Sequence, residues 1–380
     1  MNDEYTDREQ TRLKHFALRK YLEPATRIIG SGWNNFSYVD CCAGPWMSRS
    51  QDFSDTSFGI SVAVLRESEK WLRSHAKNTR FKALLIEEKT EPYSRLAAFA
   101  EAATGERVQV DARNWDFREH IPEIVRYVTT PRSFSFIFID PTGWTPAQVG
   151  ALEPLLQVRP GEVLINLMTS FIVRFVNDEA TKLQDILGPE YHDMRSLNHE
   201  EQEDEAVRRY CDLIRTQGSF PYVCALPVMK PDQDAIHFYL IFGTRSAKGV
   251  EVFKSVEKKT EEETALVRAL RQQSKRPTLD LFSADVLYSR EERYRRLAAR
   301  RKEDAQKALW QLLSKKGSVL YDDCWAEALQ FPTVYESDLR AWLKDAEEIG
   351  SVRIDGRKRP DESPTRDRGH VIVRHADREF

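Results

Sequence analysis

Five short apolar runs, each closing on an acidic or amide residue, constrain this chain more than any other feature. They are Phe36-Ser-Tyr-Val-Asp40, Leu84-Leu-Ile-Glu-Glu88, Val108-Gln-Val-Asp-Ala112, Phe134-Ser-Phe-Ile-Phe-Ile-Asp140 and Glu162-Val-Leu-Ile-Asn166. Runs of this length and β-branched or aromatic content read as buried strands. Between them the apolar spacing turns helical, over about 58–75, 90–103, 117–130 and 146–157. Strands that alternate with helices imply right-handed βαβ units and a mainly parallel, Rossmann-like sheet. Ligands of such sheets bind at the carboxyl ends of the strands, where these acids fall.

An amphipathic helix is expected ahead of the first strand, over 9–29, with Leu13, Phe16, Ala17, Tyr21 and Leu22 on one stripe. From 170 to 216 the pattern is helical and polar and includes Glu200-Glu-Gln-Glu-Asp-Glu205, which reads as an inserted, solvated cap. Tyr222–Leu226 and Ile236–Phe242 then form a hairpin around Pro231-Asp-Gln-Asp234. Five parallel strands closed by a hairpin whose last strand is antiparallel is the layout of class I methyltransferases. Residues 1–250 are therefore expected to form an α/β domain of that type, with a helical insertion at about 170–216. Residues 251–302 read as a charged helical linker. In 303–380, helices near 303–314, 321–330 and 335–349 precede two β-like runs, Ser351–Ile354 and His370–Val373. Three helices and a β-wing predict a winged helix-turn-helix.

A chain of 380 residues with 41% hydrophobic and 31% charged content has ample core for two domains. Its net charge of −3 argues against wholesale wrapping of nucleic acid and leaves room for a local basic patch. Five scattered cysteines without CxxC spacing fit reduced thiols in a cytoplasmic protein, with no metal expected. No apolar run approaches the roughly 20 residues of a membrane span.

The strand ends suggest a cofactor site for S-adenosylmethionine. Asp40 and Gly44 would shape the loop near the methionine portion, and Glu87 would accept both ribose hydroxyls. Asp111, with the Ala112 backbone beside it, would accept from the adenine amino group. No GxGxxG supports a dinucleotide, since the first loop reads Ala43-Gly-Pro-Trp46. Asp140-Pro-Thr-Gly-Trp144 partly matches the acid-Pro-Pro-aromatic turn of amino-methylating enzymes, making Asp140 and Trp144 the catalytic candidates. Each acid could equally cap the helix after it. Lys14, His15, His237, Asn166 and Arg174 are further polar candidates near such a site. In the C-terminal region Arg357, Lys358 and Arg359 form a basic loop suited to DNA or RNA phosphates.

Tyr38-Val-Asp-Cys-Cys-Ala-Gly-Pro45, Phe138-Ile-Asp-Pro-Thr-Gly-Trp144, Glu162-Val-Leu-Ile-Asn-Leu-Met168 and Phe238-Tyr-Leu-Ile-Phe-Gly-Thr-Arg245 together resemble the three-Cys-motif partner proteins (TcmP). The resemblance spans about 10–250, includes the Lys14-His15 helix, and departs at Trp46, where the usual loop reads Ala-Gly-Pro-Gly. It implies a bacterial, methyltransferase-like Rossmann protein that works beside a three-cysteine radical-SAM-like protein. Two functions follow as expectations: S-adenosylmethionine-dependent methyl transfer to nucleic acid, or a non-catalytic partner subunit keeping the same fold.

Overall fold

The computed structural model describes residues 5, 8–44, 48–141, 149–176, 180–188, 191–275, 292–359 and 362–375. The chain divides into two compact units, Met1–Ser289 and Arg290–Phe380.

The first unit is a mixed α/β structure around a seven-stranded sheet. Its strands are β1 (Asn35–Asp40), β2 (Arg80–Ile86), β3 (Val108–Arg113), β4 (Ser133–Ile139), β5 (Gly161–Leu167), β6 (Tyr222–Met229) and β7 (Ile236–Thr244). They lie in the order β3-β2-β1-β4-β5-β7-β6. The first five are parallel, while β7 runs antiparallel to both β5 and β6. Chain order reverses at β1, so β1 and β4 leave in opposite directions and open a crevice at their carboxyl ends. All of β5 is buried, and a strand buried along its whole length is covered on both faces.

Two groups of helices supply the cover. In the first, α1 (Glu9–Gly32) packs on α2 (Ser57–Ser74) and on α9 (Ala247–Lys275). The second comprises α4 (Ile121–Val128), α5 (Val149–Leu156) and α8 (His199–Gly218), with α5 touching both neighbours. A further helix, α3 (Thr90–Ala103), packs on β3. Two short helices, α6 (Thr169–Phe175) and α7 (Ala180–Leu187), and a 3-10 turn at Tyr191–Ser196 lie between β5 and α8.

Aromatic packing and a buried carboxyl seat α1 on the sheet. Its Tyr21 ring stacks on Phe136 and meets Phe242, with centroids 5.5 and 4.8 Å apart. The Tyr21 hydroxyl donates to Glu162 Oε2 at 2.6 Å, and Thr244 donates to Oε1 at 2.7 Å. Burial pushes the Glu162 carboxyl up to about 7 against those two bonds. At its other side α1 is tied to α9 by Arg12–Glu263 and Glu9–Arg271 ion pairs.

The solvated cap expected at 170–216 is not what forms at its C-terminal half. Ala206, Val207, Tyr210 and Ile214 are spaced three or four apart and bury one face of α8 against α5 and β6. Even Glu203 and Asp204 of the acidic cluster are buried, and Glu203 accepts from the Thr169 hydroxyl at 2.6 Å.

The second unit contains α10 (Glu292–Lys316), α11 (Tyr321–Ala328) and α12 (Glu336–Glu348). Strands β8 (Ser318–Leu320), β9 (Val352–Asp355) and β10 (Val371–Arg374) form an antiparallel sheet in the order β8-β10-β9. The short β8 has no counterpart in the sequence reading. Among the described residues, no helix is long and apolar enough to cross a membrane.

Candidate functional site

A cleft of about 330 Å³ opens at the carboxyl ends of β1, β2 and β4. That is within the range of small-molecule sites, and it lies where chain order reverses.

Its floor is the loop after β1. Asp40 ends the strand fully buried, and its carboxylate accepts from Ser57 Oγ at 2.6 Å, the Cys42 N–H at 3.2 Å and the Tyr38 hydroxyl at 3.3 Å. Burial, reinforced by the nearby Asp140 charge, lifts this carboxyl to about 6 despite those donors. Asp40 does not itself line the cleft; it braces the loop beneath it. Cys41, Cys42 and Gly44 do line it. The loop is also pinned by backbone bonds, from Cys41 to Phe138 of β4 at 3.0 Å and from Ala43 to Ile86 of β2 at 2.7 Å.

Glu87, directly after β2, is 4% exposed and lines the cleft with Glu88 and Lys89. Its Oε1 accepts the Lys89 N–H at 2.7 Å.

Asp111 and Ala112 are not part of this cleft, contrary to the sequence reading. β3 continues past Asp111 to Arg113, and Asp111 is held by the Tyr127 hydroxyl at 2.9 Å and by Gln109 at 2.8 Å. Trp115, Asp116, Phe117 and Arg118 of the following loop line the cleft instead. The Trp115 ring stacks on His120, with centroids 4.7 Å apart and planes at 3°. Bonds from Arg118 hold Asp116 below the usual carboxylate range. The signal was present in Asn114-Trp-Asp-Phe117, an acid and two aromatics just ahead of a helix.

Asp140 and Pro141 form the wall after β4. Lys14 pairs with Asp140 Oδ2, while Asn166 Nδ2 donates to Oδ1 at 2.7 Å. Trp144 and Trp46 lie outside the described residues. His237, the second residue of β7, and Arg174, on α6, do not line the cleft, whereas His15 does.

Sequence reasoning named Lys14 and His15 among its polar candidates but missed Arg8 and Thr11 beside them. Arg8, Thr11, Lys14 and His15 all line the cleft, at the three-to-four spacing that places residues on one helix face. Arg8 also reaches the loop before α2, where Asp55 accepts from Arg8 at 2.6 Å, Ser48 at 2.6 Å and the Arg49 N–H at 2.8 Å. Burial opposes the Asp55 charge, but these donors outweigh it and keep the carboxyl below its ordinary range. Among the described residues no group of three His, Cys, Asp or Glu is arranged to hold a metal ion.

In the second unit the basic loop is only partly available. Arg357 bonds Glu347 of α12, once at 3.0 Å and once closer, whereas Lys358 and Arg359 have exposed side chains.

No family model matches the chain, and no curated protein sequence matches it. Among solved structures, one described as "Loganic acid methyltransferase with SAH" is 11% identical, with a TM-score of 0.31, over 72% of this chain and 92% of that one. A likeness of that size carries no argument about this chain.

Proposed function

We propose that the first unit is a class I, S-adenosylmethionine-dependent methyltransferase. The observation that carries the reading is the sheet order β3-β2-β1-β4-β5-β7-β6, with its antiparallel β7 and a carboxylate, Glu87, buried beside the β1 loop. In this reading the 41–44 loop holds the methionine portion, Glu87 takes the ribose hydroxyls, and Asp116 with Phe117 takes the adenine. The cofactor supplies a methyl group already activated on a sulfonium sulfur, so the protein has mainly to align an acceptor. Asp140, at the wall after β4, would orient that acceptor. The second unit, with three helices and a three-stranded sheet, is proposed as a winged helix whose Lys358 and Arg359 contact nucleic-acid phosphates.

Calorimetric titration of S-adenosylhomocysteine tests the reading. Glu87→Gln removes a charge-assisted acceptor, which costs about 1.5–3 kcal/mol, or about ten- to over a hundredfold in affinity. Absence of binding to the unmodified protein at millimolar ligand refutes it.

A second reading, a non-catalytic partner subunit that works with a three-cysteine radical-SAM-like protein, is favoured by one observation. Both oxygens of Asp140 already hold a donor, from Lys14 and from Asn166. An Asp so engaged ties α1 to β5, a structural part that calls for no reaction.

A further inference from the structure

The β4 end of the cleft carries cationic and polar groups to which methyl transfer as such assigns no role. Lys14 lines it with a side chain 15% exposed. Its ammonium has three N–H donors, and Asp140 is its one hydrogen-bonding or ionic partner among the described residues. Two donors therefore remain. Beside it, His15 is buried, its Nδ1 is 3.1 Å from the Tyr5 hydroxyl, and Nε2 has no partner among the described residues. Burial, with Lys14 adjacent, holds the imidazole down to about 3, so the ring is neutral and offers a polar atom without a charge. His237, the second residue of β7, lies just beyond the carboxyl end of β5 outside the cleft lining, and is likewise lowered by burial, by Lys230 and by Lys14.

Asp140 offsets Lys14, Asp55 offsets Arg8, and Asp40 lies beneath the loop with three donors of its own. Of the other carboxylates lining the cleft, Glu87, Glu88 and Asp116 follow β2 and β3, on the opposite side of β1 from Asp140, and share that side with Lys89 and Arg118. A bound sulfonium would add a positive charge to this region. A cationic acceptor would then meet repulsion, while an anion would find two vacant ammonium donors in a partly desolvated cleft, where charge-assisted bonds are strongest.

We infer that Lys14, with the His15 ring beside it, is an anion-binding point that takes an anionic oxygen group of the acceptor, a phosphate or a carboxylate. Its role toward an acceptor rests on the methyltransferase reading, but the anion binding itself does not.

The test is titration of inorganic phosphate, and separately of acetate, into the full-length protein with and without S-adenosylhomocysteine. The two anions distinguish a phosphate from a carboxylate source. At least one should bind saturably, and Lys14→Met should weaken it by about tenfold or more, while Lys14→Arg stays within about threefold. Asp140→Asn should tighten it, because it removes the carboxylate that competes for the ammonium; a purely structural Lys14–Asp140 pair would not do this. No saturable binding of either anion, equal affinity in Lys14→Met, or weaker binding in Asp140→Asn overturns the inference. Should Lys14→Met not fold, the Arg and Asn variants decide alone. S-adenosylhomocysteine binding without anion binding sinks only this inference; Lys14-dependent anion binding without it sinks only the methyltransferase reading.

Discussion

Glu162 gives the sharpest prediction, because its environment is closed and its partners are few. Its carboxyl is 3% exposed and accepts only from Tyr21 and Thr244 among the described residues. Burial raises it from 4.5 to about 7. A carboxyl raised in the folded state binds its proton more tightly there than in the unfolded chain. Its stabilising contribution is therefore complete below about pH 4.5 and lost as pH rises through about 7. The shift of about 2.5 pH units corresponds to about 3 kcal/mol. Asp40, raised to about 6, runs in the same direction, whereas His15, lowered to about 3, runs the other way, losing its contribution as pH falls from 6.5 toward 3. Whole-protein stability therefore conceals the effect, and the difference between native protein and Glu162→Gln isolates it. Glutamine keeps the shape and still accepts from a hydroxyl, so that difference should fall by about 2.5 kcal/mol between pH 5 and 8. Urea unfolding at fixed ionic strength across that range measures it. A flat difference refutes the assignment of a buried, protonatable Glu162.

Two further outcomes concern the site and the second unit. Asp111→Asn should leave S-adenosylhomocysteine affinity unchanged, because Tyr127 and Gln109 hold that carboxylate away from the cleft, while Asp116→Asn should weaken binding by about tenfold, read by calorimetry. In low-salt binding to duplex DNA or RNA, Lys358→Ala with Arg359→Ala should lower the slope of log affinity against log salt by up to about 0.9 for each phosphate no longer neutralised, whereas binding insensitive to salt removes the nucleic-acid role.

The strands β1, β4 and β5 are legible because each buries a short run rich in aromatic and β-branched residues: Phe36, Tyr38 and Val39, then Phe136 to Ile139, then Val163 to Ile165. The edge strand β3 was harder. There Val108, Val110 and Ala112 point inward while Gln109 and Arg113 are exposed. Alternation of this kind has no marked end, so in the sequence Asp111 reads as a terminal acid, whereas in the strand it is an interior one. Arg8 and Thr11 are hidden for a different reason. The apolar stripe of the first helix announces a packed face, but a polar stripe on the other side looks like any solvated surface. Only the folded chain shows that Arg8 and Thr11 join Lys14 and His15 on a cleft whose other walls come from Cys41 through to Pro141. In α8 the acidic cluster masked an apolar face that the spacing of Val207, Tyr210 and Ile214 already declared.

The anchoring of the first helix also bears on timing. Its ion pairs to α9 join residues 251 and 262 positions apart, so they cannot form until nearly three-quarters of the chain exists. At the roughly 5–20 residues per second of translation, about 13 to 52 s separate the emergence of Glu9 from that of Arg271. Throughout that interval the helix bearing Lys14 and His15 lacks its α9 clamp, while the parallel strands can already pair. A nascent chain halted before α9 should have its sheet and an unfinished cleft, which makes the site among the last parts of the first unit to mature.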